Sequence, residues 1–201
     1  GSNKLTCRIY RRVERMIKKY VFKTIIVYLF INIFSGSLHG MEPKDIRRFR
    51  IENLEEQLFD SRKELGEPFV ISFFYTRCPP CWKEIPELFA YMKKENKLDR
   101  LLFVDSYVHV EGIELNDNPD TRELIEEFVE KIKIDPANVY FDTLGSLLKK
   151  FVKIGAFPKA KATKLTKVLW PTILVISATG KLVESIEGSN PDFINMIEKH
   201  L

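Results

Sequence analysis

One junction limits the possible folds more than any other feature of the chain. Residues 69–75 hold Phe69, Val70, Ile71, Phe73, Phe74 and Tyr75 around a single Ser72. Such a near-continuous, β-favouring apolar run is the pattern of a strand buried on both faces. Residues 82–96 then carry Ile85, Leu88, Phe89 and Met92 at helical spacing, the stripe of a helix with one buried face. Between them lie Thr76, Arg77, Cys78, Pro79, Pro80 and Cys81. A central strand must therefore hand over to a helix within a few residues, with a cysteine on either side of a proline pair.

The rest of the chain supplies partners for that strand. Phe49 to Ile51 suits a strand, whereas residues 54–65 partly keep helical spacing. Gly66-Glu67-Pro68 marks a turn. Residues 101–104 form the next buried strand, with Val110 its outer limit, and residues 112–119 a loop. Asp120, Thr121, Arg122 and Glu123 open a helix reaching Lys133, with Leu124, Ile125, Phe128 and Val129 facing inward. A short strand at 139–141 and a helix at 144–151 follow. A strand over 170–176, a hairpin turn at 178–181, a strand over 182–186 and a helix over 193–200 capped by Asn190, Pro191 and Asp192 close the chain. Strand–helix alternation ending in a hairpin and a helix implies an α/β fold, a mixed sheet with helices on both faces.

The first 40 residues differ in kind. Lys4, Arg8, Arg11, Arg12, Arg15, Lys18, Lys19 and Lys23 face the lone acid Glu14, and an uncharged, largely apolar run covers residues 24–34. Ser35, Gly36 and Ser37 follow. A basic head, a short apolar stretch and small residues describe a signal peptide or signal anchor. The run is shorter than the roughly 20 residues of a comfortable spanning helix, which favours a signal peptide. Met16 is a candidate start, which would leave Cys7 outside the mature chain. An amphipathic helix packed on the domain is the alternative, disfavoured because the run is apolar all round. Two segments result: a head at 1–40 and a domain at 41–201. Positive charge ahead of the segment places that domain on the far side of the membrane. The formal net charge of +4 is concentrated in the head, so nucleic acid is not an implied partner.

Cys78 and Cys81 are where chemistry is expected. A cysteine at a helix N-cap points its sulfur at unpaired N–H groups and the positive end of the dipole, which stabilises a thiolate. A cysteine three residues on lies within disulfide reach. Cys78 is then the exposed attacker and Cys81 the buried resolver. Pro79 and Pro80 fit a first helical turn but remove donors, leaving the N–H of Cys81 and those beyond. This predicts a modestly lowered thiol pKa and a reducing couple. Glu84, one turn after Cys81, either relays the resolving thiol's proton or is an ordinary solvated glutamate. Pro86 lies inside the helix and is expected to kink it. Trp170-Pro171-Thr172 opens a predicted central strand, where proline is out of place unless it is cis or the strand is an edge. A cis bond turns the Trp170 main chain outward, toward a substrate strand.

Residues 69–86, through Cys78-Pro79-Pro80-Cys81 to Glu84 and Pro86, resemble the TlpA/ResA-like branch of the thioredoxin superfamily, and residues 171–180 resemble its cis-proline strand and turn. The resemblance spans residue 49 to the C-terminus. It implies a thioredoxin-like, three-layer α/β/α fold with a strand–helix insertion supplied by residues 101–133. It also implies nucleophile Cys78, resolver Cys81, auxiliary Glu84 and cis-proline Pro171. Substrate would be met by Arg77, Pro79, Pro80, Trp170 and Thr172. Such proteins reduce disulfides outside the cytoplasm, including those of apocytochromes c, so protein disulfides and a membrane or periplasmic thiol donor are the expected partners. No cofactor or metal is implied beyond the cysteine pair, and a monomer is expected. The chain departs from the pattern in three places. Arg77 stands where tryptophan is frequent. Ser72 stands where thioredoxin has a buried acid. Residues 157–168 form an insertion with Lys159, Lys161, Lys164 and Lys167, which either steers an acidic partner or is merely solvated.

Rival readings share the same cysteines. Zinc needs three or four ligands, and His39, His109 and His200 have no useful spacing to the pair. Copper delivery of the Sco type fits two thiolates, but that family spaces its cysteines by three residues and needs a distal histidine, for which His109 is the near candidate. A non-catalytic module with an idle disulfide is the third possibility.

Overall fold

The computed structural model describes residues 48–106, 120–142, 145–157 and 169–201. The head, the signal or anchor segment, Cys7, His39, His109 and the lysines of the 157–168 insertion lie outside the described residues. Seven strands and four helices follow in chain order among those described: β1 (Arg50–Glu52), β2 (Leu58–Asp60), β3 (Phe69–Phe74), α1 (Cys81–Lys94), β4 (Leu101–Asp105), α2 (Arg122–Ile132), β5 (Val139–Phe141), α3 (Ser146–Lys153), β6 (Thr172–Ile176), β7 (Leu182–Glu187) and α4 (Phe193–Glu198).

The apolar run becomes the middle of a five-stranded mixed sheet in the order β5-β4-β3-β6-β7. β3 runs parallel to β4 and antiparallel to β6, and all six of its residues are buried. Side chains alternate across a strand, so the sheet feeds two cores. Val70, Phe74, Phe103, Ile173 and Val175 pack with Ile85, Leu88 and Met92 of α1, Ile125, Phe128 and Val129 of α2, and Phe193 and Ile197 of α4. Phe69, Ile71, Phe73, Leu102, Val104, Leu174 and Ile176 pack on the other face, with Leu147, Leu148 and Phe151 of α3. Helices thus cover both faces, as the strand–helix alternation implies.

Two local expectations are corrected. Residues 54–65 hold no helix: turns and β2 occupy them, and β1 pairs with β2. Tertiary pairing outweighs the partial helical spacing because Phe49, Ile51 and Phe59 gain burial against Phe69 and Phe151. Leu124 does not face inward but is 42% exposed. α2 starts at Arg122 with Thr121 as its cap, accepting from the Leu124 N–H at 3.4 Å; in that register Ile125, Phe128 and Val129 form the buried stripe. The strand expected at 101–104 is β4, ending at Asp105; Val110 lies outside the described residues.

The β1–β2 unit carries a charge cluster. Asp60 accepts from Arg62, through its guanidinium at 3.0 and 3.1 Å and its N–H at 3.1 Å, and from Arg50 at 2.8 Å. The Arg62 side chain foremost holds the Asp60 carboxyl far below the usual carboxylate range; burial, second in size, opposes it, and the Arg62 N–H and Arg50 lower it further. A depressed folded-state pKa contributes stability above the unfolded value of 3.8, lost as pH falls through the folded one. Asp60→Asn is therefore expected to flatten the acid limb of stability below about pH 4, read as the urea midpoint against pH. In the core under the cysteine pair, Leu88 is fully buried, and Leu88→Ala is expected to cost about 2–5 kcal/mol in the same assay.

Candidate redox site

β3 ends at Phe74 and the chain turns at once. The Cys78 N–H donates to the Tyr75 carbonyl at 3.2 Å, and the Cys81 N–H to the Cys78 carbonyl at 3.1 Å. Cys78 and Cys81 are joined in a disulfide with their Cα atoms 5.3 Å apart. The Cys81 N–H also lies 3.3 Å from the Cys78 sulfur, so the first donor left after two prolines is aimed at that sulfur. The N-cap is not Cys78, however, but Pro80, at φ −62° and ψ −32°. Proline's ring holds φ near the helical value, so Pro80 already has helical geometry and α1 begins at the second cysteine.

The expected exposure of Cys78 is also corrected: Cys78 is 1% exposed and Cys81 fully buried. A disulfide is neutral and weakly polar, so it joins the apolar cluster of Ile85, Phe74 and Ile173, against which Tyr75 and Trp170 pack. The exposed parts of the turn are Arg77 and Pro79, with Pro80 half-buried.

Glu84 is buried, at 6% exposure, so the solvated alternative is excluded. Its Oε1 accepts from the Ser189 hydroxyl, in the loop after β7. Its Oε2 has no hydrogen-bond partner among the described residues. Ser189 carried no sequence signal, because its place beside Glu84 arises from β7 and α4 closing over α1.

The Trp170-Pro171 bond is cis. It precedes β6, which lies between β3 and β7 and is not an edge. Thr172 pairs with Phe73, so the proline loop lies beside the end of β3 where the cysteine turn begins. Tyr75 and Trp170 meet edge to face, ring centres 5.9 Å apart. The Pro171 carbonyl accepts from the Gly188 N–H at 2.9 Å, and the buried Thr172 hydroxyl donates to the Leu169 carbonyl. No described residue bonds the Trp170 main chain.

Further residues hold the turn that the sequence did not single out. The Trp82 indole N–H donates to the Thr76 carbonyl at 2.9 Å, and its ring meets Phe128 of α2 edge to face at 4.8 Å. The Thr76 N–H donates to Asp120 Oδ2 at 2.5 Å, and the Arg77 guanidinium lies 3.4 Å from Asp120 Oδ1. The sequence places Asp120 only at the opening of a helix, and nothing in the local pattern shows that it reaches a turn 44 residues away. His200 lies by Glu184 at 3.6 Å. Among the described residues no group of three His, Cys, Asp or Glu side chains is placed to hold a metal ion, and no helix is long and apolar enough to cross a membrane.

No protein-family model matches the chain, and no curated protein does. Solved structures match its shape at low identity. A thioredoxin-family thiol:disulfide interchange protein from Chlorobium tepidum is 18% identical with a TM-score of 0.58, over 80% of this chain and 98% of that one. An exposed lipoprotein thioredoxin from Streptococcus pneumoniae is 17% identical with a TM-score of 0.54, over 75% and 98%. BsSco, a Sco-family cytochrome c oxidase assembly protein, is 16% identical with a TM-score of 0.52, over 79% and 94%. Sheet order, helices on both faces, a disulfide at the start of α1 and these likenesses together show that the chain has the thioredoxin-like α/β fold.

Proposed function

We propose that this chain is a thiol–disulfide oxidoreductase of the TlpA/ResA-like kind, which reduces disulfides of secreted or membrane-associated proteins outside the cytoplasm. Apocytochrome c is one such substrate class. The observation that carries the reading is the Cys78–Cys81 disulfide at the head of α1, beside the cis-Pro171 loop. The extracytoplasmic setting rests on the basic head and apolar segment, and accords with the exposed lipoprotein among the similar structures.

In this reading the reduced Cys78 thiolate attacks a substrate disulfide; one substrate sulfur leaves as a thiolate and a mixed disulfide forms. Cys81 gives its proton to Glu84 and attacks the Cys78 sulfur. The second substrate thiolate leaves and is protonated. Two electrons pass to the substrate, and the protein is left with the disulfide seen here. A membrane or periplasmic thiol donor then returns the electrons. Trp170, whose main chain no described residue bonds, offers it to the substrate backbone, flanked by Thr172, while Arg77, Pro79 and Pro80 form the opposite lip. Because the oxidised sulfurs are buried, exchange requires the lips to part. With two prolines in the turn, the Cys81 N–H is left to hold the Cys78 thiolate, which favours a reducing couple. Copper delivery fits the fold equally well, but the two-residue spacing of the cysteines favours disulfide exchange, and copper titration of the reduced protein separates the two.

Cys78→Ser is expected to abolish turnover of a disulfide substrate such as insulin, while Cys81→Ser accumulates a mixed disulfide on Cys78 that mass spectrometry detects in the native host. Full reduction by Cys78→Ser would overturn the reading. Glu84→Gln is expected to lengthen the life of the mixed disulfide about a hundredfold and to leave its formation unaffected, as loss of a positioned proton acceptor requires; stopped-flow measurement of the two steps checks this.

A further inference from the structure

Three buried carboxyl groups stand at or near the ends of β4, β5 and the start of α2. Asp105, the last residue of β4, is 1% exposed, and it pairs with Phe74 of β3 and Phe141 of β5. Asp120, just before α2, is 3% exposed and holds the Thr76 N–H and the Arg77 guanidinium. Asp142, just after β5, is the third acid. Its oxygens accept from the Ser106 and Ser146 hydroxyls and from the Leu147 and Leu148 N–H groups.

One oxygen of Asp105 lacks such support. Its Oδ2 is buried with no hydrogen-bond donor among the described residues. Phe74 pairs with Asp105, and Thr76, two residues on, bonds Asp120, so both acids serve the same turn. A buried carboxylate oxygen with no donor is strongly disfavoured as an anion. The conflict disappears if Asp105 carries a proton, because its O–H then becomes the donor and Asp120 the acceptor. The electrostatics agree. Burial first, then the charge and hydrogen bond of Asp120, push the Asp105 carboxyl well above the ordinary range; Asp142 adds to this and Arg77 opposes it.

We propose that Asp105 and Asp120 hold one proton between them, and that in this state the pair is the positioning device of the redox turn. Asp105 donates to Asp120, and Asp120 holds the main chain of Thr76 and the side chain of Arg77, two residues and one residue before Cys78. The pair itself is independent of the reaction; its effect on Cys78 rests on the thiol–disulfide reading. Loss of the shared proton places a second negative charge behind the turn, and a like charge disfavours a thiolate. Thiolate formation at Cys78 is thus easiest while the pair keeps its proton.

A second consequence concerns stability. An acid that holds its proton more tightly when folded binds more protons in the native state between its unfolded and folded titrations. Stability then falls as pH rises through that window, from about pH 4 upward. Asparagine at position 105 keeps a donor toward Asp120 and has no proton to lose.

The test compares the full chain with its Asp105→Asn variant. Difference infrared spectroscopy at neutral pH is expected to show a protonated-carboxyl band in the native protein that the variant lacks; absence of that band in the native protein overturns the shared proton. The variant is expected to have the higher urea midpoint at pH 7, with the gap closing toward pH 4. A variant destabilised equally at both pH values overturns it as well. For the turn, the thiolate absorbance of the reduced proteins is followed against pH. The native Cys78 titration is expected to be broadened on its alkaline side, and the variant's to follow a single step. Identical curves overturn the positioning role. None of these readings needs turnover, so failure of both proteins to reduce insulin would refute the enzymatic reading while leaving the carboxyl pair to stand or fall on its own signals.

Discussion

The pairing of β3 with β4 and β6 governs everything at the cysteine site. Phe73 pairs with Thr172, and Phe74 with Asp105. These two registers bring three chain segments to one end of the sheet: the turn holding Cys78, the cis-Pro171 loop and the buried acid ending β4. A slip of one residue would turn every β3 side chain to the opposite face, and Phe74 would leave Phe128 and α1 for the α3 side. Because both faces of β3 are filled by large apolar residues, such a slip is strongly opposed.

The same packing explains why the sulfurs are hidden. A disulfide suits an apolar setting, whereas a thiolate needs donors. The fold supplies both: the oxidised pair shares a buried cluster with Ile85, Phe74 and Ile173, and the Cys81 N–H points at Cys78. Around that core, polar groups hold the turn. Trp82 bonds the Thr76 carbonyl, and Asp120 the Thr76 N–H. Thr76 is thereby held at both its donor and its acceptor, so the residues leading into Cys78 are fixed by α1 and the segment before α2 together.

Legibility differed by range. The buried strand, the helix after it and the cysteine spacing were readable because each depends on neighbours within a few residues: period-two and period-3.6 burial, and proline's fixed φ. Pro171 was readable for a related reason, since proline inside a central strand demands a special bond. Leu124 and residues 54–65 misled, because partial helical spacing says nothing about which face a neighbouring element will cover. Cys78 was expected at an N-cap and exposed, from the preference of a thiolate for donors; the oxidised pair follows apolar packing instead.

Strand, helix, cysteine pair and proline positions follow from the order of residues alone, because local sterics and hydrophobic periodicity dictate them. The partners of Glu84 and Thr76, the burial of the sulfurs and the reach of Asp120 to the cysteine turn do not. These depend on which distant segments the sheet brings side by side, and a buried polar group's state is set by whatever donor or charge folding happens to place against it.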